Sequence, residues 1–414
     1  MFPIVAAIWL CAYALVSDPA DLLVHEWGTF TTMQGSDGVT LEGLQHEEEP
    51  LPDFVHAIDG FNALDVLAGL CKGIGRPVRG CTVKMETPVT YFYSPQSLLV
   101  HARVEFDHGM LTQWYPAVAE YGVRGAAKDE QIDFAKVERG WLDWQIEVLA
   151  PKFGADATPS VDAAAPWRAA RTSEANCVRA HVAATEDHPA VDETEGFLFY
   201  RGLGRFDLPI HVRTSPGSQL DIANTSTVAS DALTHLFVLN VRDGRGAFSY
   251  VPRIAPGASV RVARPLAADA PAIDAMIAEL QPKLEAALVD SGLFAPEAHA
   301  MVETWKRSYF KSPGLRVLYV VPQRITDLVL PLAISPKPRA QLRVLVGRLE
   351  CISPEQERDT LQALSRFVDG DDETRSAAWD HLSKLERFLE PNLRRAIALT
   401  HDARVAETAA RWID

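Results

Sequence analysis

Between Gly196 and Arg264 the chain is cut into short segments, FLFY, PIHV, QLDIAN, LTHLFVLNV, AFSYV and ASVRVA, with SPG, DGRG and APG between them at nearly even spacing. Segments this short, rich in β-branched and aromatic residues and bounded by Gly and Pro, pair as antiparallel strands rather than coil into helices. Repeated in this way they lead to a β-sandwich. Val24 to Met33 and Pro88 to Tyr93 have the same strand chemistry. Leu99–Phe106 and Met110–Tyr115 are expected to form a hairpin about Asp107-His108-Gly109, with Gly where a positive φ is required.

Elsewhere the period is helical. Ile132, Ala135, Val137 and Trp141 fall near one face of a helix predicted over 128–144. After Pro271, Ile273, Met276, Ile277, Leu280, Leu284 and Leu288 form one stripe, with Pro282 a kink point, and 296–310 supplies a second helix. Strands Leu315–Val321 and Leu342–Leu349 interrupt before Ser353-Pro354-Glu355-Gln356, a capping box with Pro at the first helical position. Gly370 stops that helix, and Trp379, Leu382, Leu385 and Leu389 mark another. A chain of 414 residues exceeds one ordinary core, so two or three domains are expected. The expected fold class is α+β. It comprises a mixed N-terminal β/α domain over 22–153, a linker or long loop over 154–195, and a central antiparallel β-sandwich over 196–265 open to sharing the N-terminal strands. A helix-rich C-terminal region follows over 270–414.

The run from Phe2 to Val16 is apolar, too short to span a bilayer, and ends near Ala12-Tyr13-Ala14, a small-x-small cleavage pattern. This predicts a signal peptide over 1–14 and a periplasmic or extracellular protein, with no further run long enough for a membrane span. Its removal leaves Cys71, Cys81, Cys177 and Cys351, an even number suited to an oxidising compartment. Three pairings are open. Cys71 and Cys81 flank the flexible KGIGRPVRG loop, and a disulfide between them is expected. A net charge of −15 argues against nucleic acid as a partner and is compatible with cations or neutral ligands.

Reactive side chains concentrate between 25 and 56: His25, Glu26, His46, Glu47, Glu48, Glu49, Asp53 and His56. Imidazole and carboxylate suit a divalent Zn, Mn or Fe ion whose open position acidifies a water. His25, His46 and His56 are the candidate ligands, with Glu26 as general base. Strand alternation opposes a site containing both His25 and Glu26, because neighbours on a strand face opposite ways. The competing reading is a solvated acidic loop beside a hydrogen-bonded histidine. Trp114, Tyr115, Trp141 and Trp144, with Glu105, Asp107 and Asp143, form a second constellation, suited to stacking on sugar and to glycoside hydrolysis. Arg201 and Arg205 in FYRGLGRFDLP form a third, an anion-binding turn or simply a tight connection. The chain holds no G-x-S-x-G, H-E-x-x-H, C-x-x-C or Walker A sequence.

VHEWGTFTTMQGSDG, HEEEPLPDFVH, KMETPVTYFYS, FLFYRGLGRFDLP, GLRVLYVVPQRITDLVLPLAISPKP and VGRLE together resemble a family of exported bacterial proteins of planctomycete- and myxobacterium-like genomes. The resemblance spans most of the chain after the signal. It implies an exported location and brings no activity, so no residue role is carried over from it. Two functions are therefore carried forward from the residues. One is an extracytoplasmic metal-assisted hydrolase whose ligand, a small molecule, a glycan or a peptide, is open. The other is a β-sandwich binding protein for a glycan, a peptide or an envelope partner.

Overall fold

The computed structural model describes residues 20–46, 51–58, 78–125, 132–162, 165–171, 174–184, 190–215, 219–265, 270–306 and 309–413. The signal expected over 1–14, together with Cys71 and Glu47–Glu49, lies outside them. The fold is α+β, with large, mainly antiparallel sheets and a helix-rich C-terminal region.

A nine-stranded sheet forms the centre. Its order is β16 (Arg245–Ile254), β15 (Leu233–Arg242), β18 (Gly314–Val320), β20 (Pro338–Cys351), β1 (Ala20–Gln34), β4 (Val83–Tyr93), β12 (Leu198–Gly204), β6 (Gly109–Tyr115) and β2 (His56–Ala57). Only β1 and β20 run parallel within it, from opposite ends of the chain. A six-stranded sheet contains β11 (Val191–Glu195), β10 (Val178–Val182), β9 (Arg139–Val148), β5 (Leu98–Asp107) and β19 (Leu332–Ser335), with β7 (Glu120–Arg124) on β9. A third sheet joins β13 (Ile210–Ser215), β14 (Gln219–Asn224) and β17 (Ser259–Ala263), and a small pair joins β3 (Val78–Arg79) to β8 (Ile132–Asp133).

Alternation along β1 shows how the layers arise. Leu22, Val24 and Phe30 enter a core shared with Val104, Leu142 and Trp144 of the six-stranded sheet and with Val212 and Ile222 of the third sheet. Trp27 enters the opposite core, closed by α2 (Ile273–Asp290) and α3 (Ala295–Trp305). The stripe predicted for α2 is the buried one, with Met276, Ile277, Leu280, Leu284 and Leu288 all inside. The remaining helices are the short α1 (Pro166–Ala170) and α4 (Gln323–Val329), and then α5 (Pro354–Asp369), α6 (Asp372–Leu382), α7 (Leu389–Leu399) and α8 (Ala403–Ile413). Ser353 caps α5 by accepting the Gln356 N–H at 3.2 Å, as its sequence pattern requires. The last four helices enclose their own core of Leu364, Leu382, Leu393 and Val405. Among the described residues, no helix is long and apolar enough to cross a membrane.

Three local expectations change. Over 132–144, the described part of the helix predicted over 128–144, β8 and β9 stand instead, because Leu142, Trp144, Ile146 and Val148 repeat every second residue and all are buried. The hairpin about His108 is not a hairpin. Strand β5 pairs β9 and β19, whereas β6 pairs β12 and β2, so the chain crosses from one sheet to the other at this turn. His108 itself takes the positive φ of 53°. Its N–H reaches the Glu138 carbonyl and its own carbonyl accepts from Arg205, both at 2.8 Å. The described parts of 154–195 carry α1, β10 and β11 rather than a bare linker. The strands of 196–265 follow the alternative left open for them and share a sheet with the N-terminal strands: β12, β15 and β16 join β1, β4 and β6 in the nine-stranded sheet.

The disulfide expectation is also corrected. All three described cysteines, Cys81, Cys177 and Cys351, are free. Cys81 is buried beside Val78, Met110 and Phe134. Burial pushes its thiol up to about 12, against the opposing pull of hydrogen bonds with Gly204 and Val83.

Candidate functional site

The three candidate metal ligands at the N-terminus are not brought together; each imidazole has its own carboxylate partner. His25 Nδ1 lies 2.9 Å from Glu297 on α3, a carboxylate that also accepts from Tyr93 Oη at 2.6 Å and from the Phe294 N–H at 2.7 Å. His46 Nε2 lies 3.0 Å from Glu390 on α7. His56 Nε2 lies 2.9 Å from Glu193 on β11, which also takes the Ala117 N–H. The three imidazoles therefore go to three different carboxylates on three different elements. Among the described residues, no group of three His, Cys, Asp or Glu side chains is arranged to hold a metal ion.

Glu26 faces away from His25, as alternation demands, into the core between the sheets. Its carboxylate accepts from Thr90 at 3.0 Å, from the Tyr200 hydroxyl, and from Arg343 Nε at 2.7 Å. Arg343 also reaches Asp327 at 3.0 Å and the Leu330 carbonyl at 2.6 Å. Both Glu26 and Arg343 side chains are fully buried. Burial, reinforced by the neighbouring Glu26 carboxylate, holds the Tyr200 phenol well above its usual range. A carboxylate so enclosed ties β1 to β4, β12 and β20, and no solvent-borne substrate meets it.

A second buried charge network fastens the C-terminal helices to the sheet. Glu86 of β4 accepts from Thr31 at 2.6 Å, from Tyr309 at 2.8 Å and from Arg387 at 2.8 Å. Glu350 accepts from Arg348 at 2.7 Å and lies 3.0 Å from Arg316. Burial alone would raise the Glu86 carboxyl, but Arg387, Lys84 and Arg348 outweigh it and hold the group well below the ordinary range.

The aromatic and arginine constellations are dispersed. Trp144 is in the core with Nε1 on the Pro116 carbonyl at 2.9 Å, while Trp141 lies on the outer face of the six-stranded sheet, where Arg103 stacks on it. Glu105, Asp107 and Asp143 are all engaged by Arg103 or Arg139 on that face. FLFYRGLG is a strand, not a turn. Its Gly202 lies so close to β6 that a Cβ there would sit 2.2 Å from the Met110 carbonyl oxygen. Arg205 pairs with Glu42 at 2.9 Å.

Arg201 lies elsewhere, and it marks the site that sequence reasoning missed. On β12, Phe199 and Arg201 share the helix-side face with Phe197 just before it, while Leu198 and Tyr200 face the sandwich. These side chains line a half-open cleft against Trp27 of β1, Trp167 of α1 and Thr304 of α3, with a water-accessible volume of about 80 Å³. Trp167 packs on Phe199 and Phe197 at ring separations of 4.8 and 5.2 Å. The one-and-a-half turns of α1 are held by Glu195, fully buried. It accepts from Trp167 Nε1 at 2.8 Å, Arg171 Nε at 2.8 Å and the Gly196 N–H at 2.7 Å. Tyr91 Oη adds a bond to the Ala170 carbonyl at 2.8 Å. Arg201 is 7% exposed, with its guanidinium 5.8 Å from the Phe199 ring centre. The alternation of Phe197, Phe199 and Arg201 is visible in the sequence; that Trp27 and Trp167 meet it is not.

No family model matches the chain, and no curated protein matches it. Among solved structures, it is similar to the mu homology domain of Fcho1 from Danio rerio with bound Eps15 peptide. The identity is 8%, with a TM-score of 0.30, covering 81% of this chain and 99% of that one. It is also similar to the yeast delta-COP-I mu-homology domain complexed with a Dsl1 WxWxV peptide. Here the identity is 9%, with a TM-score of 0.24, covering 81% and 97%. At these scores the likenesses carry no argument about fold or ligand.

Proposed function

We propose that this chain is a binding protein that takes an apolar group of a small molecule or peptide into the cleft between β1, β12, α1 and α3. The observation that carries this reading is the cleft wall of Trp27, Trp167, Phe197 and Phe199, with the one cationic side chain of its lining, Arg201, among them. An apolar recess with a few polar groups is the usual form of a small-ligand site. A sugar ring fits less well, because its hydroxyls need acceptors as well as donors and, among the described residues, the lining contains no carboxylate. Pinning of α1 by Glu195 and Tyr91 keeps the walls in place before a ligand arrives, which lowers the ordering cost of binding.

The test is tryptophan fluorescence and thermal shift with a panel of small aromatic and branched aliphatic compounds. Saturable binding with Kd of about 0.1–1 mM is expected for ligands this small. Ala165→Trp, at the partly exposed start of α1, should fill the cleft and abolish binding while leaving the melting transition in place. Binding that survives Ala165→Trp, or no binding to the wild type, overturns the reading.

A further inference from the structure

His235 interrupts β15 with a positive φ of 51°, a conformation uncommon outside glycine and costly within a strand. Across it the register with β18 slips by one residue, from Thr234 opposite Val320 to Phe237 opposite Leu318. A bulge of this kind re-aims a side chain. Here it aims the imidazole between two partners: Nε2 lies 3.1 Å from Asp290 Oδ2, and Nδ1 lies 3.0 Å from Tyr250 Oη of β16. A carboxylate only accepts, so in the neutral imidazole Nε2 carries the proton, Nδ1 keeps its lone pair, and the Tyr250 hydroxyl donates to it. Asp290 is the last residue of α2, where the helix dipole disfavours a carboxylate and the final turn contains no basic residue. His235, not the helix, accounts for its place. Tyr250 is 45% exposed on the edge strand of the nine-stranded sheet, with its ring 4.9 Å from that of Phe237. A hydroxyl that only fastened the core would be buried, as that of Tyr200 is. This one faces solvent with a base behind it.

We propose that Asp290, His235 and Tyr250 form a nucleophilic site, separate from the cleft, whose phenol oxygen takes the acyl group of an activated ester. The Tyr250 oxygen attacks the carbonyl carbon while its proton passes to His235 Nδ1. The bond from that carbon to the leaving oxygen then breaks, and the leaving group takes the proton from His235. The products are a tyrosyl ester and a free phenol or alcohol, and no further reactant is needed. Asp290 is a positioning residue: it holds the tautomer and stabilises the imidazolium formed during the transfer. An aryl ester with an electron-poor leaving group suits the step, because that group is less basic than the phenol displacing it. Exposure of Tyr250 on an edge strand admits such a donor directly from solvent.

The experiment treats the full chain with p-nitrophenyl acetate at neutral pH and follows each tyrosine by peptide mass mapping. Tyr121 is the internal control: it is also 45% exposed, packs on Trp114, and has no histidine in hydrogen-bond reach among the described residues. Tyr250 should be acetylated about 100-fold faster than Tyr121, the lower end of what a positioned general base supplies. Tyr250→Phe should lose the matching burst of p-nitrophenolate with the melting transition unchanged. His235→Asn removes the base and keeps a residue that tolerates positive φ, and in it the two tyrosines should react at equal rates. Heavy water should slow acetylation of Tyr250 in wild type, where a proton moves in the transition state, and not the residual reaction in His235→Asn. Asp290→Asn, at an exposed side chain, should slow Tyr250 and leave Tyr121 unchanged; it decides the point if His235→Asn does not fold. Equal rates for the two tyrosines in wild type, acetylation of His235 or of lysines in place of Tyr250, or a Tyr250 advantage that survives His235→Asn and Asp290→Asn overturns the proposal.

Discussion

Replacing Glu26 by glutamine removes the negative charge from a fully buried ion pair and leaves the Arg343 guanidinium in the core between the sheets. Breaking such a pair from one side costs about 3–5 kcal/mol, because the remaining charge loses its compensation. The structure places this substitution near the lower end, at about 3 kcal/mol. The amide oxygen of glutamine can still accept from Thr90 and Tyr200, which both address the same oxygen of Glu26. Arg343 also keeps Asp327 at 3.0 Å and the Leu330 carbonyl at 2.6 Å. What is lost is the charge opposite Arg343 Nε and Nη2, each 2.7 Å from the other oxygen, and the glutamine N–H₂ now faces a donor. Urea denaturation with linear extrapolation measures the loss directly. Asp327→Asn, at a half-exposed partner, should cost under about 1 kcal/mol. The double variant Glu26→Gln with Arg343→Met should be more stable than Glu26→Gln alone, since it removes the stranded charge. A loss below about 1 kcal/mol for Glu26→Gln would refute the argument and return Glu26 to the pool of chemically available carboxylates.

Two further predictions concern the frame around the cleft. Glu86, Glu350 and Glu390 all have carboxyls held below their ordinary range, each despite burial, by Arg387, by Arg316 and by His46 with Arg394 respectively. A depressed folded-state value means that the stabilisation is complete above the unfolded glutamate value of about 4.3 and is lost as pH falls below it. Because Arg387 and Glu390 belong to the C-terminal helical region, the protection of amides in 354–413 against hydrogen exchange, corrected for the intrinsic rate, should fall first on acidification; a stability that rises below that pH would refute this. Gly202→Ala should lose about 3 kcal/mol, the upper end of the overpacking range, because backbone rather than a flexible side chain meets the new Cβ. A melting temperature equal to wild type would show that β6 and β12 are further apart than described.

How much of this was legible beforehand follows from what periodicity encodes. The alternation in Val24 to Met33 determined that His25 and Glu26 face opposite ways, and Ser353 determined where α5 begins. The apolar stripe of 273–288 determined the buried face of α2, and the capacity for α+β was present in the change of period along the chain. These are local properties, set by side-chain direction and by the backbone groups nearest in sequence. Strand partners are not local. Asp107-His108-Gly109 suited a hairpin, yet whether β5 and β6 pair or separate depends on which other strands cover their edges. Nor does density of histidine in sequence imply convergence: His25, His46 and His56 fall within 32 residues and end at α3, α7 and β11, because the strand and loops between them carry each to a different layer. The cleft is the clearest case. Trp27, Trp167, Phe199 and Thr304 come from β1, α1, β12 and α3, and only the packing of two helices over one face of the nine-stranded sheet brings them within contact. Alternation shows which face a residue occupies; the tertiary structure alone decides what that face meets.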